Sequence, residues 1–468
     1  MEIADLRKKN LPKPLSLSKL IGPSFILLGL GFGSGELILW PYLSANYGLG
    51  VIWGALLGIT FQFFINMEIE RYTLVTGESV FVGLARKLKG ISPLWFIFST
   101  LVPWIWPGII ASSATVIAHV LGIGYSSLIP IILLILIGLV LTLGPVVYKT
   151  QEVFQRTLIL IGVPFIFALA VFFAKSPDWV SLAEGLIGKG EGYWFLPAGI
   201  SLATFLGAFA YAGAGGNLNL AQGYYVKEKG YGMGKFSGRI TSLLTGKKEN
   251  ISLEGYTFEP TVKNLKRFRL WWKRINIEHF LVFWATGAVS MIMLSLLAYV
   301  TVFGNPQGSQ GIMFLLSQAQ VIAASTLPFI GTLFLLIAAA FLFSTQFSVM
   351  DATSRIMSEN LIIASPRFTI QKLPRYYYFF LWTQILGGII IFSLGLTEPL
   401  TLVVIGAALN AMAMFVYSAL VVLLNTKTLA KELRPSWPRI VVIGAAFAFY
   451  GIFSVLTIVQ NLPKLLGV

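Results

Sequence analysis

Eleven runs of about 20 predominantly apolar residues succeed one another along the chain, and a run of that length crosses the roughly 30 Å hydrocarbon core of a bilayer as one helix. They fall at 20–43, 48–70, 92–118, 128–148, 154–174, 194–222, 279–303, 328–360, 376–395, 399–424 and 438–460. The runs are too continuous for the two-residue alternation of a membrane β-barrel. An all-α integral membrane protein with about 11 transmembrane helices is therefore expected.

The basic residues orient it. When the spans are threaded alternately, every Lys and Arg except Lys175, Lys189 and Lys464 falls on one side. Basic loops stay in the cytoplasm, so the chain reads as a multi-pass protein of the cell membrane with a cytoplasmic N terminus. Its net charge of +15 is explained by those loops lying beside anionic lipid, and nucleic acid is not an expected partner. The cytoplasmic tail at 1–19 has basic residues but no apolar stretch of its own, so no cleavable signal is expected before the first span.

Several chemistries drop out. The chain has no cysteine and only two histidines, His119 and His279, which removes disulfides, thiolate ligands and histidine clusters. The glycines of GYGMGKFSG lack the GK[ST] ending of a phosphate-binding loop, and neither HExxH nor GxSxG occurs. An enzyme, an ATP-driven pump and a bound cofactor are not expected. Gradient-driven or passive movement of a solute is left.

Two glycine-rich interruptions then stand out, GLGFGSGELI at 29–38 in the first span and GAFAYAGAGGNLN at 207–219 in the sixth. Polar backbone inside a bilayer needs partners from protein, water or solute, so breaks are tolerated mainly where they line a cavity. Two of them in matching halves point to a transport site near mid-membrane. The first offers Gly33, Ser34 and the carboxylate of Glu36, and a carboxylate at that depth costs about 3 kcal/mol or more unless a cation, water or proton compensates it. The second offers Tyr211, Gly213, Ala214, Asn217 and Asn219. Freed carbonyls, amide oxygens and a facing glutamate suit a hard cation. Tight helix packing is the other use of such glycines, and helix-to-helix hydrogen bonding the other use of such asparagines.

Further polar groups recur in the eighth span, where Asp351, Arg355 and Glu359 are spaced by four and share a face. They read as a compensated charge ladder or as an ion or proton path. In the second span Gln62, Asn66, Glu68 and Glu70 are expected to network with that ladder or with the hydrophilic insert at 223–278. Asn410 is expected to make an interhelical hydrogen bond and His119 to be solvated. Within the insert, 263–276 reads as an amphipathic helix on the cytoplasmic face. Trp271 and Trp272 would sit at headgroup depth, and Lys266, Arg267, Arg269, Lys273 and Arg274 toward anionic lipid.

These residues carry a resemblance. GPSFILLGLGFGSGELILWPYLSANYGLG and FQFFINMEIERYTLVTGES resemble the first two helices of the Nramp family of divalent metal transporters, and STQFSVMDATSRIMSEN resembles its eighth. The resemblance implies the LeuT-type fold, with inverted five-helix repeats at 20–174 and 194–424, broken helices 1 and 6, and an additional C-terminal helix at 438–460. It also exposes departures. Where the family has Asp-Pro-Gly-Asn this chain reads Gly33-Ser34-Gly35-Glu36, as in a divergent branch. Where the family has a methionine before Pro-His, the chain has Ala214, Gly215 and Gly216. The third span lacks the carboxylates that the family uses for proton movement.

The expected function is transport of a divalent cation by alternating access, without the family's proton route. With no thioether ligand, a hard cation such as magnesium is favoured over transition metals. A carrier of a small organic solute such as an amino acid, on the same fold, and a non-transporting receptor or scaffold are the alternatives.

Overall fold

The computed structural model describes residues 5–20, 22–88, 90–143, 147–236, 253 and 255–466. Part of the N-terminal tail and 237–252 of the insert thus lie outside the described residues.

Proline and glycine punctuate the helices. α1 (Pro23–Tyr47) starts on Pro23 in its first turn and stops at Gly48, whose φ of 78° is left-handed. α2 (Trp53–Thr76) closes on Gly77, again left-handed at φ 64°. After the short α3 (Val80–Leu88), the third span is two helices, α4 (Ile91–Trp104) and α5 (Gly108–Val120), parted at Pro107. α6 (Leu128–Leu143), α7 (Val147–Phe173) and the surface helix α8 (Ser176–Leu186) follow. The sixth span is α9 (Leu202–Ala210), capped by Ser201, then an unwound stretch and 3₁₀ turns over Gly216–Ala221, then α10 (Gln222–Glu228). α11 (Val262–Val302), α12 (Met313–Ser325), α13 (Pro328–Ala364), α14 (Leu373–Ser393), α15 (Pro399–Thr428) and α16 (Trp437–Leu466) complete the chain.

Among the described residues nine helices are long and apolar enough to cross a membrane. The shorter α6 and the broken sixth span account for the remaining crossings expected from sequence. α12 is an apolar helix that the hydropathy pattern did not single out, because it interrupts the loop between the seventh and eighth spans.

Burial ranks the helices. The apolar window of α1 is 94% buried, against 28% for that of Val153–Phe173 and 33% for that of Trp437–Gln460. α1 is therefore the central rod, while α7 and α16 stand at the periphery. Its first half packs on α7 and α13, its second half on α11. α13 also runs along α4 and α5, and α15 backs both α9 and the break that follows it. Exposed Leu136, Phe172, Leu386, Ile390, Ile452 and Val455 present apolar surface of the kind a membrane protein turns to lipid.

The amphipathic segment departs from expectation. It is the first part of α11 and runs without a gap into the membrane span, through a π-helical stretch at Phe280–Ala285. Trp271 is buried, not at headgroup depth, and its Nε1 donates to the Pro12 carbonyl at 3.0 Å. Arg267 donates to Leu11 at 2.6 Å, and Arg274 to Pro14 at 3.3 Å and to Leu15. The physical reason is that a proline-rich tail is poor in N–H groups and has carbonyls to spare, which Arg and Trp donors satisfy. β1 (Arg7–Lys8) pairs in parallel with β4 (Tyr256–Thr257), so the tail is strapped to the basic end of the bundle. A hairpin of β2 (Lys189–Gly190) and β3 (Tyr193–Trp194) lies between α8 and α9. Trp272 takes the guanidinium groups of Arg71 and Arg439 at 3.9 and 4.8 Å from its ring centre.

Candidate functional site

The interruption in α1 is not unwound. Phe32–Leu39 is π-helical, with the Trp40 amide bonded to the Gly35 carbonyl, and every residue in it is buried. The broken first helix expected from the glycines is thus a continuous helix carrying a wide turn. A π turn keeps each backbone group bonded within the helix, which the interior of a bilayer strongly favours. Thr345 of α13 holds it by accepting from the Gly33 amide at 2.9 Å and donating to the Gly29 carbonyl at 2.9 Å. Phe32 stacks on Phe341 of the same helix, with ring centroids 4.0 Å apart.

The glycines serve close approach. A Cβ on Gly31 would overlap the Gly213 carbonyl, and one on Gly35 the Tyr211 carbonyl. Those carbonyls, expected to be free at the break, lie against the backbone of α1 instead.

The sixth span does unwind. Gly213, Gly215 and Gly216 have φ of 133°, 73° and 52°, which L side chains rarely adopt. Gln62 of α2 replaces lost helical partners: its Nε2 donates to the Ala210 carbonyl at 2.8 Å, and its Oε1 accepts from the Gly215 amide at 3.3 Å. Tyr211 stacks on Trp104 and accepts from Asn410 Nδ2 at 3.0 Å, the interhelical bond expected of that asparagine. Asn217 Nδ2 donates to Ser99 and Thr100 of α4 at 2.8 and 2.9 Å, and Asn219 Nδ2 to the Tyr417 hydroxyl of α15 at 2.8 Å. These amides tether the break, while their Oδ1 atoms and that of Asn410 have no hydrogen-bond partner.

Glu36 is fully buried, and neither carboxyl oxygen has a hydrogen-bond partner. Its Oε1 lies 3.9 Å from where a Cβ on Gly287 of α11 would stand, so it faces protein and not acyl chains. Ser34 is spent on its own helix, donating to Gly31 at 3.0 Å. The structure thus brings Gly31 and Gly35 of α1 against Gly213 and Tyr211, and places Ala214 beside them. Asn217 and Asn219 are drawn to α4 and α15. Among the described residues no three His, Asp or Glu side chains are placed to share a metal ion, so a cation beside Glu36 would depend on carbonyl and amide oxygens.

The ladder in α13 is half formed. Arg355 pairs with Asp351 at 3.0 Å and with Glu228 of α10 at 2.5 Å, and Tyr377 donates to Asp351 at 2.8 Å. Glu359 leaves the ladder and accepts from Ser79. Among the described residues the second span does not network with the ladder; its link is to the insert, where the Arg71 guanidinium just past its end lies 3.9 Å from the Trp272 ring centre. Glu68 turns to Arg71 at 2.7 Å and Arg439 at 3.4 Å, Glu70 accepts from Gln222 at 2.5 Å, and neither amide atom of Asn66 has a partner. His119 is exposed, as expected. Sequence reasoning assigned Gln62 to the ladder or the insert, and gave neither Thr345 nor Tyr417 a contact with the two breaks. A hydroxyl or amide facing a glycine-rich stretch from a neighbouring span was the available signal.

No protein-family profile matches the chain, and no curated protein sequence does. Solved structures do. A mutant form of the Eremococcus coleocola manganese transporter aligns with a TM-score of 0.69 at 13% identity, over 99% of this chain and 92% of that one. MHP1, a nucleobase-cation-symport-1 family transporter with bromovinylhydantoin bound, aligns at 0.56 and 12% identity, over 96% and 95%. MhsT in complex with L-phenylalanine aligns at 0.50 and 13% identity, over 93% and 97%. The chain has the LeuT-type fold that these transporters share.

Proposed function

We propose that the chain is a secondary transporter or uncoupled facilitator that moves a divalent cation by alternating access, the two five-helix repeats at 20–174 and 194–424 rocking about the contact between α1 and the sixth-span break. The observation that carries this reading is Glu36, a buried carboxyl with no hydrogen-bond partner at the centre of a transporter fold. The metal-binding set proposed around it is Gly33, Ser34, Tyr211, Gly213, Ala214, Asn217 and Asn219, through hydroxyl, carbonyl and amide oxygens. Neither GLGFGSGELI nor GAFAYAGAGGNLN contains sulfur, so a hard cation such as magnesium is favoured. The cation is the cargo, and no cofactor is invoked. The basic end, with the N terminus, is proposed to face the cytoplasm of a cell membrane, where exposed Lys263, Lys266, Arg269 and Lys273 of α11 meet anionic lipid.

Uptake into liposomes tests the reading, with magnesium, manganese, calcium and L-phenylalanine as cargo. Saturable magnesium uptake that falls by about 100-fold in Glu36→Gln is expected, since one oxygen of the only carboxylate is lost. Phenylalanine uptake indifferent to divalent cations would instead favour an organic solute, whose amine Glu36 would receive. Binding without flux of any cargo would make the chain a receptor.

A further inference from the structure

A second buried polar cluster lies between Glu36 and the basic end, built from four elements. Glu70 of α2, Glu278 and His279 of α11, Ser24 of α1 and Gln222 of α10 are all at most 5% exposed. Ser24 Oγ lies 2.6 Å from Glu278 Oε2 and 2.8 Å from His279 Nδ1, and His279 Nδ1 is 3.6 Å from Glu70 Oε1. Gln222 Nε2 donates to that same Glu70 oxygen. His279 is sandwiched between Phe63 and Phe283, with centroids 5.6 and 4.7 Å away.

Among the described residues the charges do not balance. Two carboxyl groups face one another here, and Lys229, just past the end of α10, is the cation whose charge reaches Glu278. Among the described residues Glu70 accepts a hydrogen bond from the Gln222 amide alone. An unpaired buried carboxylate is strongly unfavourable, and a proton is the smallest ligand that removes it. Free acceptors point the same way: Glu70 Oε2, Glu278 Oε1 and Gln222 Oε1 have no hydrogen-bond partner. The cluster is not a metal centre, because these groups are not placed to share an ion.

A file of residues leads from it to Glu36. Along α2, Gln62, Asn66 and Glu70 are spaced by four and share a face, and Asn66 is buried with both amide atoms unpartnered. Along α11, His279, Phe283 and Gly287 repeat the spacing, and Gly287 neighbours Glu36. Ser24 sits in the first turn of α1, so withdrawal of that turn strips the hydroxyl from both Glu278 and His279 and lets water reach them.

We propose that the Glu70–Glu278–His279 cluster, bridged by Ser24 and Gln222, is a proton-binding site that takes up one proton when the basic end closes over it and releases it on opening. With His279 Nδ1 bare, the Ser24 hydroxyl relays the proton by giving its own hydrogen to Nδ1 as its oxygen takes the one on Glu278 Oε2, and turning of the hydroxyl resets it. Such a site supplies what the carboxylate-free third span lacks. Its coupling to cargo rests on the transport reading, whereas its occupancy by a proton does not.

Infrared difference spectroscopy on the full chain in lipid nanodiscs tests occupancy, from about pH 5.5 to about pH 8. A protonated-carboxyl stretch is expected that disappears in Glu70→Gln or Glu278→Gln, persists in Glu36→Gln, and shifts in Ser24→Ala. Spectra in which both glutamate variants lose only ionised-carboxylate bands overturn the site. If those variants do not fold, an unmoved stretch in Ser24→Ala overturns it, and a shift upholds it. In liposomes, the slope of log magnesium uptake against pH is expected to fall from about one to about zero in Glu70→Gln. Absence of any uptake sinks the transport reading alone, because the infrared result still decides the proton site.

Discussion

The two glycine-rich interruptions look alike in sequence and fold differently. In α1 the glycines alternate with larger residues, at 29, 31, 33 and 35, and the chain stays helical with right-handed backbone throughout. After α9, Gly215 and Gly216 are adjacent, precede an asparagine, and take left-handed φ. The first pattern removes side chains so that another backbone can approach. The second supplies conformations that L residues resist. Close approach and unwinding are separate uses of glycine, and here they face each other across one contact.

The largest expected effect tests close approach. Gly35→Ala would drive its methyl into the Tyr211 carbonyl, which is backbone and cannot swing aside. A loss of about 3 kcal/mol or more is expected, read as failure to purify as a monodisperse species or as a large drop in Tm. Gly215→Ala tests the other use. Strain of about 1–3 kcal/mol, because φ 73° with ψ 148° is a region kept almost wholly for glycine, plus crowding of the Tyr211 ring, should lower Tm by less than Gly35→Ala does. If the two variants cost the same, the distinction between the breaks is lost.

Thr345→Val comes next. It deletes the hydroxyl that joins the Gly29 carbonyl to the Gly33 amide while keeping the volume, and about 1–2 kcal/mol is expected, with Thr345→Ser restoring most of it. Asn410→Ala, losing one bond to Tyr211, should cost about 0.6 kcal/mol, the usual size for such a bond inside a membrane protein. Thermal denaturation monitored in one detergent ranks all four.

Hydropathy made the crossings readable because length and apolarity alone decide them, and the cluster of Gly213, Gly215 and Gly216 announced its own unwinding. What sequence could not convey was partnership. Arg267, Trp271 and Arg274 form one face of α11, at the spacing of an amphipathic helix, and nothing local distinguishes a lipid from a proline-rich tail as the surface it meets. The same holds for Asn217 and Asn219, where nothing local distinguishes a facing glutamate from a neighbouring helix as the partner of the amide; their Nδ2 groups are fastened to α4 and α15. The eighth-span ladder was readable as far as Asp351 and Arg355, since their pairing is set by the helix itself. Glu228 joined it, and Ser79 drew Glu359 out of it, from distant parts of the chain.

Both helices that flank Glu36 carry wide turns, at Phe32–Leu39 in α1 and at Phe280–Ala285 in α11. A π turn stores one surplus residue, and relaxing it to ordinary pitch swivels everything on one side by about 100° relative to the other. The acidic side chain can therefore be re-aimed by passing that surplus along the rod, without melting a single turn.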